Sequence, residues 1–389
     1  MNNFKRTLTL RNSVFLGLSS MIGAGLFVNI APAAFVSSYS LLFGLFIASI
    51  LAFSNASSSA QLANLYPVTG GTYLYARKVL GNKASLLAGF SFITGKVISS
   101  IAIALTFGNY LFPSSHRLAG IALVAGVGII SYFGATKTAS VAKWFVYSVS
   151  GILFFYIFSV VSSENFNFAI PVTEGLTTES LLLSSSIWFF AFTGYSRLAT
   201  FGEEVKNPEV IIPKAILTGL GITVLIYFLT TYATLGIIDP VIIQNSLTPL
   251  KVAFDVSRFS SFSFLISIAS TVATGSVLLA LIPGISRVIV AMSRDNYLPT
   301  LLGTIHKKYN SAYFADILIS VVVVMGILYF DVVEAIKMSS FFILLYYSLT
   351  NYSVIKLKKS QRLYSIFIAY FGLFGCLLLA GTLFLNFIK

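Results

Sequence analysis

The chain has 389 residues, of which 57% are hydrophobic and 10% charged, and it carries a formal net charge of +13. A mean hydropathy of +0.90 excludes a soluble globular domain. The basic excess would suit a nucleic-acid binder if it were clustered on one surface. Instead the charges are dealt out between apolar runs.

Those runs recur from end to end and are long enough to cross a hydrocarbon core of about 30 Å at about 1.5 Å per helical residue. Residues 1–35 resemble a signal peptide, with Lys5, Arg6 and Arg11 ahead of an apolar stretch and Ala31-Pro32-Ala33 at its end. The stretch is too long for a leader and many runs follow it, so it is read as a retained first helix. Eleven spans are expected, at 13–34, 40–64, 85–111, 117–134, 140–161, 181–201, 211–236, 263–292, 313–330, 333–355 and 364–387. The first is interrupted at Gly23-Ala24-Gly25 and the sixth at Thr193-Gly194.

With the start of the chain inside, the inner loops hold Arg77, Lys78, Lys83, Lys206, Lys214, Lys307, Lys308 and Lys356 among others. The outer loops collect Glu164, Glu174, Glu179, Asp239, Asp255 and Asp331. That asymmetry follows the positive-inside rule and predicts a multi-pass protein of a prokaryotic cell membrane, N-terminus cytoplasmic and C-terminus outside. The two broken spans lie five apart and run in opposite senses. The expected fold is therefore an all-α integral membrane protein with a LeuT-like inverted five-plus-five repeat and discontinuous first and sixth helices. One transmembrane domain, 1–389, would contain repeats 13–161 and 181–355 and an additional helix, 364–387.

Paired breaks point to a transporter site near the membrane midplane, because unwound backbone there needs polar partners. An amino acid supplies both kinds: freed amides hold a carboxylate and freed carbonyls an ammonium. Glycines in such a pattern also allow close helix packing, which is the alternative reading.

Three segments resemble the amino acid–polyamine–organocation (APC) superfamily, specifically its bacterial and archaeal amino acid permeases. They are Gly17-Leu18-Ser19-Ser20-Met21-Ile22-Gly23-Ala24-Gly25-Leu26-Phe27, then Phe189 to Tyr195 with Gly202 to Glu209 and Ile212 to Ile216, and finally Arg287 to Pro299. The likeness spans nearly the whole chain, although many relatives have a twelfth span. It implies that the amides of Ala24 and Gly25, beside Gly23 in the same substrate site, hold the substrate carboxylate. It further implies that the carbonyls of Met21, Phe190 and Thr193, beside Gly194, receive the ammonium, with the Phe190 ring covering the substrate.

Two cations lie at depth. Lys96 is about ten residues into the third span, and its helical neighbours include Gly89, Phe92, Ser99 and Ser100. An intramembrane lysine is a functional candidate, here for proton coupling; the alternative is a static lysine paired with backbone carbonyls or with an acid such as Asp316. The resemblance offers a buried lysine in the fifth span of some relatives, where Tyr147–Gly151 here has none. Arg197 is read as a gating residue, with an ion pair to Glu203 or Glu204 as the bland alternative. Two cations without a nearby carboxylate disfavour cationic substrates and predict neutral L-amino acids.

The expected function is secondary transport of amino acids by alternating access, proton-coupled and sodium-independent, with amino acid exchange as the alternative. A non-transporting membrane sensor is the alternative from another class. A membrane enzyme would need a nucleophile with its base, or metal ligands, and Ser54, Ser57, Ser58 and Ser59 have no buried His beside them. Cys376 is the sole cysteine, and His116 and His306 fall in different loops, so no metal, cofactor or nucleic-acid partner is expected. The expected partners are the amino acid, protons and membrane lipids.

Overall fold

The computed structural model describes residues 8–66, 71–134, 139–195 and 205–389. Among them the regular elements are helical, and the extended pairing is a single parallel bridge between Leu8 and Val205. In chain order the α-helices are α1 (Leu10–Met21), α2 (Ala24–Ser37), α3 (Leu41–Leu65), α4 (Gly71–Leu80), α5 (Asn82–Leu111), α6 (His116–Tyr132), α7 (Ala139–Val161) and α8 (Thr178–Phe192). There follow α9 (Pro208–Ile237), α10 (Pro240–Gln244), α11 (Pro249–Asp255), α12 (Phe264–Arg294), α13 (Tyr313–Tyr329), α14 (Val332–Ile355) and α15 (Ile366–Ile388).

Eight helical runs among the described residues are long and apolar enough to cross a membrane. The expected spans that fall outside this set have visible reasons. The first is halved between α1 and α2, and α2 runs through a tight turn into α3 as one apolar stretch, Gly25–Leu65. The sixth stops at Phe192, where its break begins, and α13 has only 17 residues.

Helix ends follow local chemistry. Thr177 caps α8 by accepting from the Ser180 N–H at 3.0 Å, while the Ser180 hydroxyl accepts from the Thr177 N–H at 2.9 Å. Asp331 and Glu334 form the equivalent box at the start of α14, with the Glu334 N–H donating to Asp331 at 2.8 Å. At the far end of the bundle α4 is tied to α12: the Tyr73 hydroxyl donates to Asp295 at 2.5 Å, and Arg77 forms an ion pair with the same carboxylate.

The outward surface is apolar, with Phe46, Phe53, Trp144, Leu225 and Phe374 exposed, as a lipid-facing surface requires. Polar groups are turned inward and joined between helices. Asn351 donates to Asn55 at 2.6 Å, and Asn55 in turn donates to the Cys376 sulfur at 3.3 Å, linking α14, α3 and α15. Asp316 of α13, 2% exposed, accepts hydrogen bonds from Ser131 of α6 at 2.8 Å and from Ser286 of α12. Of the second-span serines, Ser54 donates to the Ile368 carbonyl of α15, while Ser57 bonds back to Phe53 within α3. These are the hydrogen bonds of helix packing.

Candidate substrate-binding site

The first span comes apart at its glycines. The Ile22 N–H closes α1 on the Leu18 carbonyl at 2.7 Å, and the Gly23 N–H turns back onto the Met21 carbonyl at 2.7 Å. Gly23 is extended, at φ −135° and ψ −147°, and α2 begins at Ala24. Ala24 and Gly25 thus open a helix, where N–H groups lack intrahelical acceptors and the dipole is positive. The second break follows Phe192: Thr193 (φ −68°, ψ 1°) leaves the helix, its N–H on the Phe190 carbonyl at 3.3 Å and its hydroxyl on the same oxygen at 3.0 Å.

The two breaks are packed on each other. A Cβ built at Gly194 would stand 2.1 Å from the Ser20 carbonyl oxygen, and one at Gly25 would stand 2.4 Å from the Ala191 Cα. At Gly23 it would meet Val277 of α12 at 2.4 Å, though that contact is with the end of a side chain. At Gly25 and Gly194 the obstacle is backbone, so close packing there requires glycine. It also brings the carbonyls of Met21, Phe190 and Thr193 to one junction.

Side chains from two neighbouring helices reach this junction. The Lys96 ammonium of α5, in a residue 6% exposed, donates to both the carbonyl and the hydroxyl of Thr193, each at 3.1 Å. Tyr227 of α9, fully buried, places its hydroxyl 2.5 Å from the Met21 carbonyl and 3.2 Å from that of Ala191, so a single O–H spans both interrupted helices. Its ring is held between Phe192 and Trp188, at 5.3 and 6.4 Å between centroids. Outside the junction, Asn29 of α2 donates to the Ile187 carbonyl of α8 at 2.9 Å, and Tyr110 of α5 donates to the Phe27 carbonyl at 3.1 Å.

Seven of the expected site residues thus converge: Met21, Gly23, Gly25, Phe190, Thr193, Gly194 and Lys96, with the backbone of Ala24 at the same turn. Lys96 meets a backbone carbonyl, as the static reading had it, but the carbonyl belongs to the sixth-span break. Asp316 is engaged by its two serines. Arg197, Glu203 and Glu204 lie outside the described residues. Sequence reasoning passed over Tyr227; the available signal was a phenol in the middle of an apolar span, where its O–H must find an acceptor.

A family model described as amino acid permease matches residues 8–388. The chain belongs to that family. The permease is 36% identical over 387 residues to an uncharacterized transporter of Mycobacterium tuberculosis, covering 98% of this chain and 87% of that one. It is 23% identical over 342 residues to the branched-chain amino acid permease BcaP of Bacillus subtilis, covering 80% and 72%. It is 25% identical over 380 residues to the vacuolar cationic amino acid transporter 2 of Arabidopsis thaliana, covering 91% and 60%. The permease is thus an all-α, multi-pass membrane transporter of the APC superfamily and not an enzyme.

Proposed function

We propose that this permease carries neutral L-amino acids by alternating access, independently of sodium and coupled to protons through Lys96. The N–H groups of Ala24 and Gly25, freed by the turn at Gly23, hold the carboxylate at the positive end of α2, and the carbonyls of Met21, Phe190 and Thr193 receive the ammonium. The observation that carries the reading is the junction itself, where the start of α2 meets the end of α8 through Gly25–Ala191 and the end of α1 meets the residues after α8 through Ser20–Gly194. Phe190, 5% exposed, covers the substrate, and Arg197 gates the inner side. A buried lysine on Thr193 repels a second cation nearby, which supports neutral over cationic substrates and argues against a sodium ion at this point. The relatives are named for both classes, BcaP for branched-chain and the Arabidopsis transporter for cationic amino acids, so the choice rests on the charge of Lys96.

The same proposal arranges 13–161 and 181–355 as two inverted repeats of a single domain, with 364–387 outside them, the N-terminus cytoplasmic and the C-terminus outside.

Amino acid exchange is the second reading, and one observation favours it. Lys96 lies on the carbonyl assigned to the substrate's ammonium, so a proton on Lys96 opposes loading. Proton-driven uptake then requires that Lys96 give up its proton during the cycle, whereas exchange does not. Uptake of labelled neutral amino acids into proteoliposomes, with proton and sodium gradients imposed separately, tests both. Accumulation on the proton gradient alone supports the first. Flux only after preloading with amino acid supports exchange, and dependence on sodium overturns the coupling proposal.

A further inference from the structure

We propose that Lys96 is an internal, displaceable occupant of the ammonium subsite, so that loading replaces one ammonium by another. This rests on the substrate site proposed above and specifies what must move when it fills.

The argument starts from acceptors. Thr193 stands at the end of α8, where the regular helical ladder stops, and its carbonyl accepts from a side chain of another helix. The donor is Lys96, which also binds the hydroxyl of the same residue, each at 3.1 Å. The Thr193 hydroxyl donates onward to the Phe190 carbonyl at 3.0 Å, so the lysine is linked to a second carbonyl of the subsite through one hydroxyl. Two carbonyls assigned to the substrate's ammonium are therefore already organised around a primary ammonium of the same charge and hydrogen-bonding capacity. A substrate's α-ammonium would meet the same geometry and cannot share it: two positive charges at one carbonyl repel strongly where water is scarce.

The long lysine stem allows the swap. It emerges from α5, where Ser99, three residues on, is hydrogen-bonded to Ser339 of α14 at 2.6 Å, and in the proposed swap this hydroxyl pair accepts the displaced ammonium. Tyr227, by contrast, has a rigid ring wedged between Phe192 and Trp188 and stays with the helices it joins. Between the lysine and the tyrosine, the lysine is the one built to leave.

The mechanism predicts selectivity for the ammonium half of the substrate. In Lys96→Met the competitor is gone, and uncharged L-amino acids bind more tightly by at least about tenfold, the scale of one charge-assisted hydrogen bond. The matching carboxylic acids without an amino group engage only the amides of α2 and keep their affinity.

The test is equilibrium binding to purified full-length protein in lipid nanodiscs, using L-leucine, L-isoleucine, L-valine and L-alanine beside 4-methylpentanoate and the other des-amino acids. Lys96→Gln, which keeps a hydrogen-bond donor without the charge, is measured in parallel and replaces the methionine variant should that one fail to fold. Tighter amino acid binding with unchanged des-amino acid binding supports the swap. Equal weakening of both classes, or no change in either, overturns it while leaving the substrate site standing. Binding of no amino acid to either protein overturns the substrate site and the swap together.

Discussion

Gly25 rests directly on Ala191, closely enough that a Cβ on the glycine would stand 2.4 Å from the alanine's Cα. The obstacle is backbone and cannot swing aside. Overpacking of this kind costs about 1–3 kcal/mol or more. Gly25→Ala is expected to lower the thermal unfolding midpoint and abolish uptake in proteoliposomes. Gly126→Ala is the control: its Cβ meets nothing within 4 Å, and alanine is the better helix former, so stability should hold or rise.

Tyr227→Phe removes a single oxygen and with it the bond shared between Met21 and Ala191. Met21 keeps the Gly23 N–H as donor, so one helix end remains satisfied while the other loses a partner. The expected cost is about 1–3 kcal/mol. Initial uptake rates should fall while the protein still elutes as a folded species in size-exclusion chromatography; an unchanged rate would show that the shared hydroxyl is dispensable for transport.

Asp316 holds three helices through two serine hydroxyls. Asp316→Asn keeps an acceptor and the shape, whereas Asp316→Leu takes the acceptor from Ser131 in a buried place and leaves Ser286 only the Ile282 carbonyl of its own helix, at 3.1 Å. The leucine variant should be less stable than the asparagine variant by about 1–3 kcal/mol, read from their unfolding midpoints in the same detergent.

The link from Arg77 to Asp295 is a different matter, because its side chains are 39% and 20% exposed. Exposed pairs are worth about 0–1 kcal/mol. Arg77→Gln should therefore leave the unfolding midpoint nearly unchanged, since the Tyr73 hydroxyl still reaches Asp295. A large loss would mean that this pair does more than tie α4 to α12.

Much of this was legible in the residues. The glycines at 23, 25 and 194 marked the two breaks to within a residue or two, because a side chain at Gly25 or Gly194 would collide with the backbone of Ala191 or Ser20. Apolar runs gave α3, α5, α9, α12 and α14 nearly to their ends, since hydrophobic length is the dominant constraint in a bilayer. Lys96 stood out for the same reason, as a charge where charges are costly. Its partner did not: Thr193 is 97 residues away, and only the packing of α5 against the end of α8 joins them. The short helices α4, α10 and α11 were missed because amphipathic or short segments between spans leave no hydropathy signal. Tyr227 was missed because one phenol among leucines and threonines looks like ordinary core until its hydroxyl is followed.

Cys376 is fully buried between α15 and α3, with Asn55 against its sulfur, and the chain has no other cysteine. Water-soluble thiol reagents will find nothing to modify on the native protein. A cysteine introduced at Ser20, half-buried at the end of α1, would then be the sole labelling target, and a spin or fluorescent reporter there could follow the opening of the junction without an engineered background.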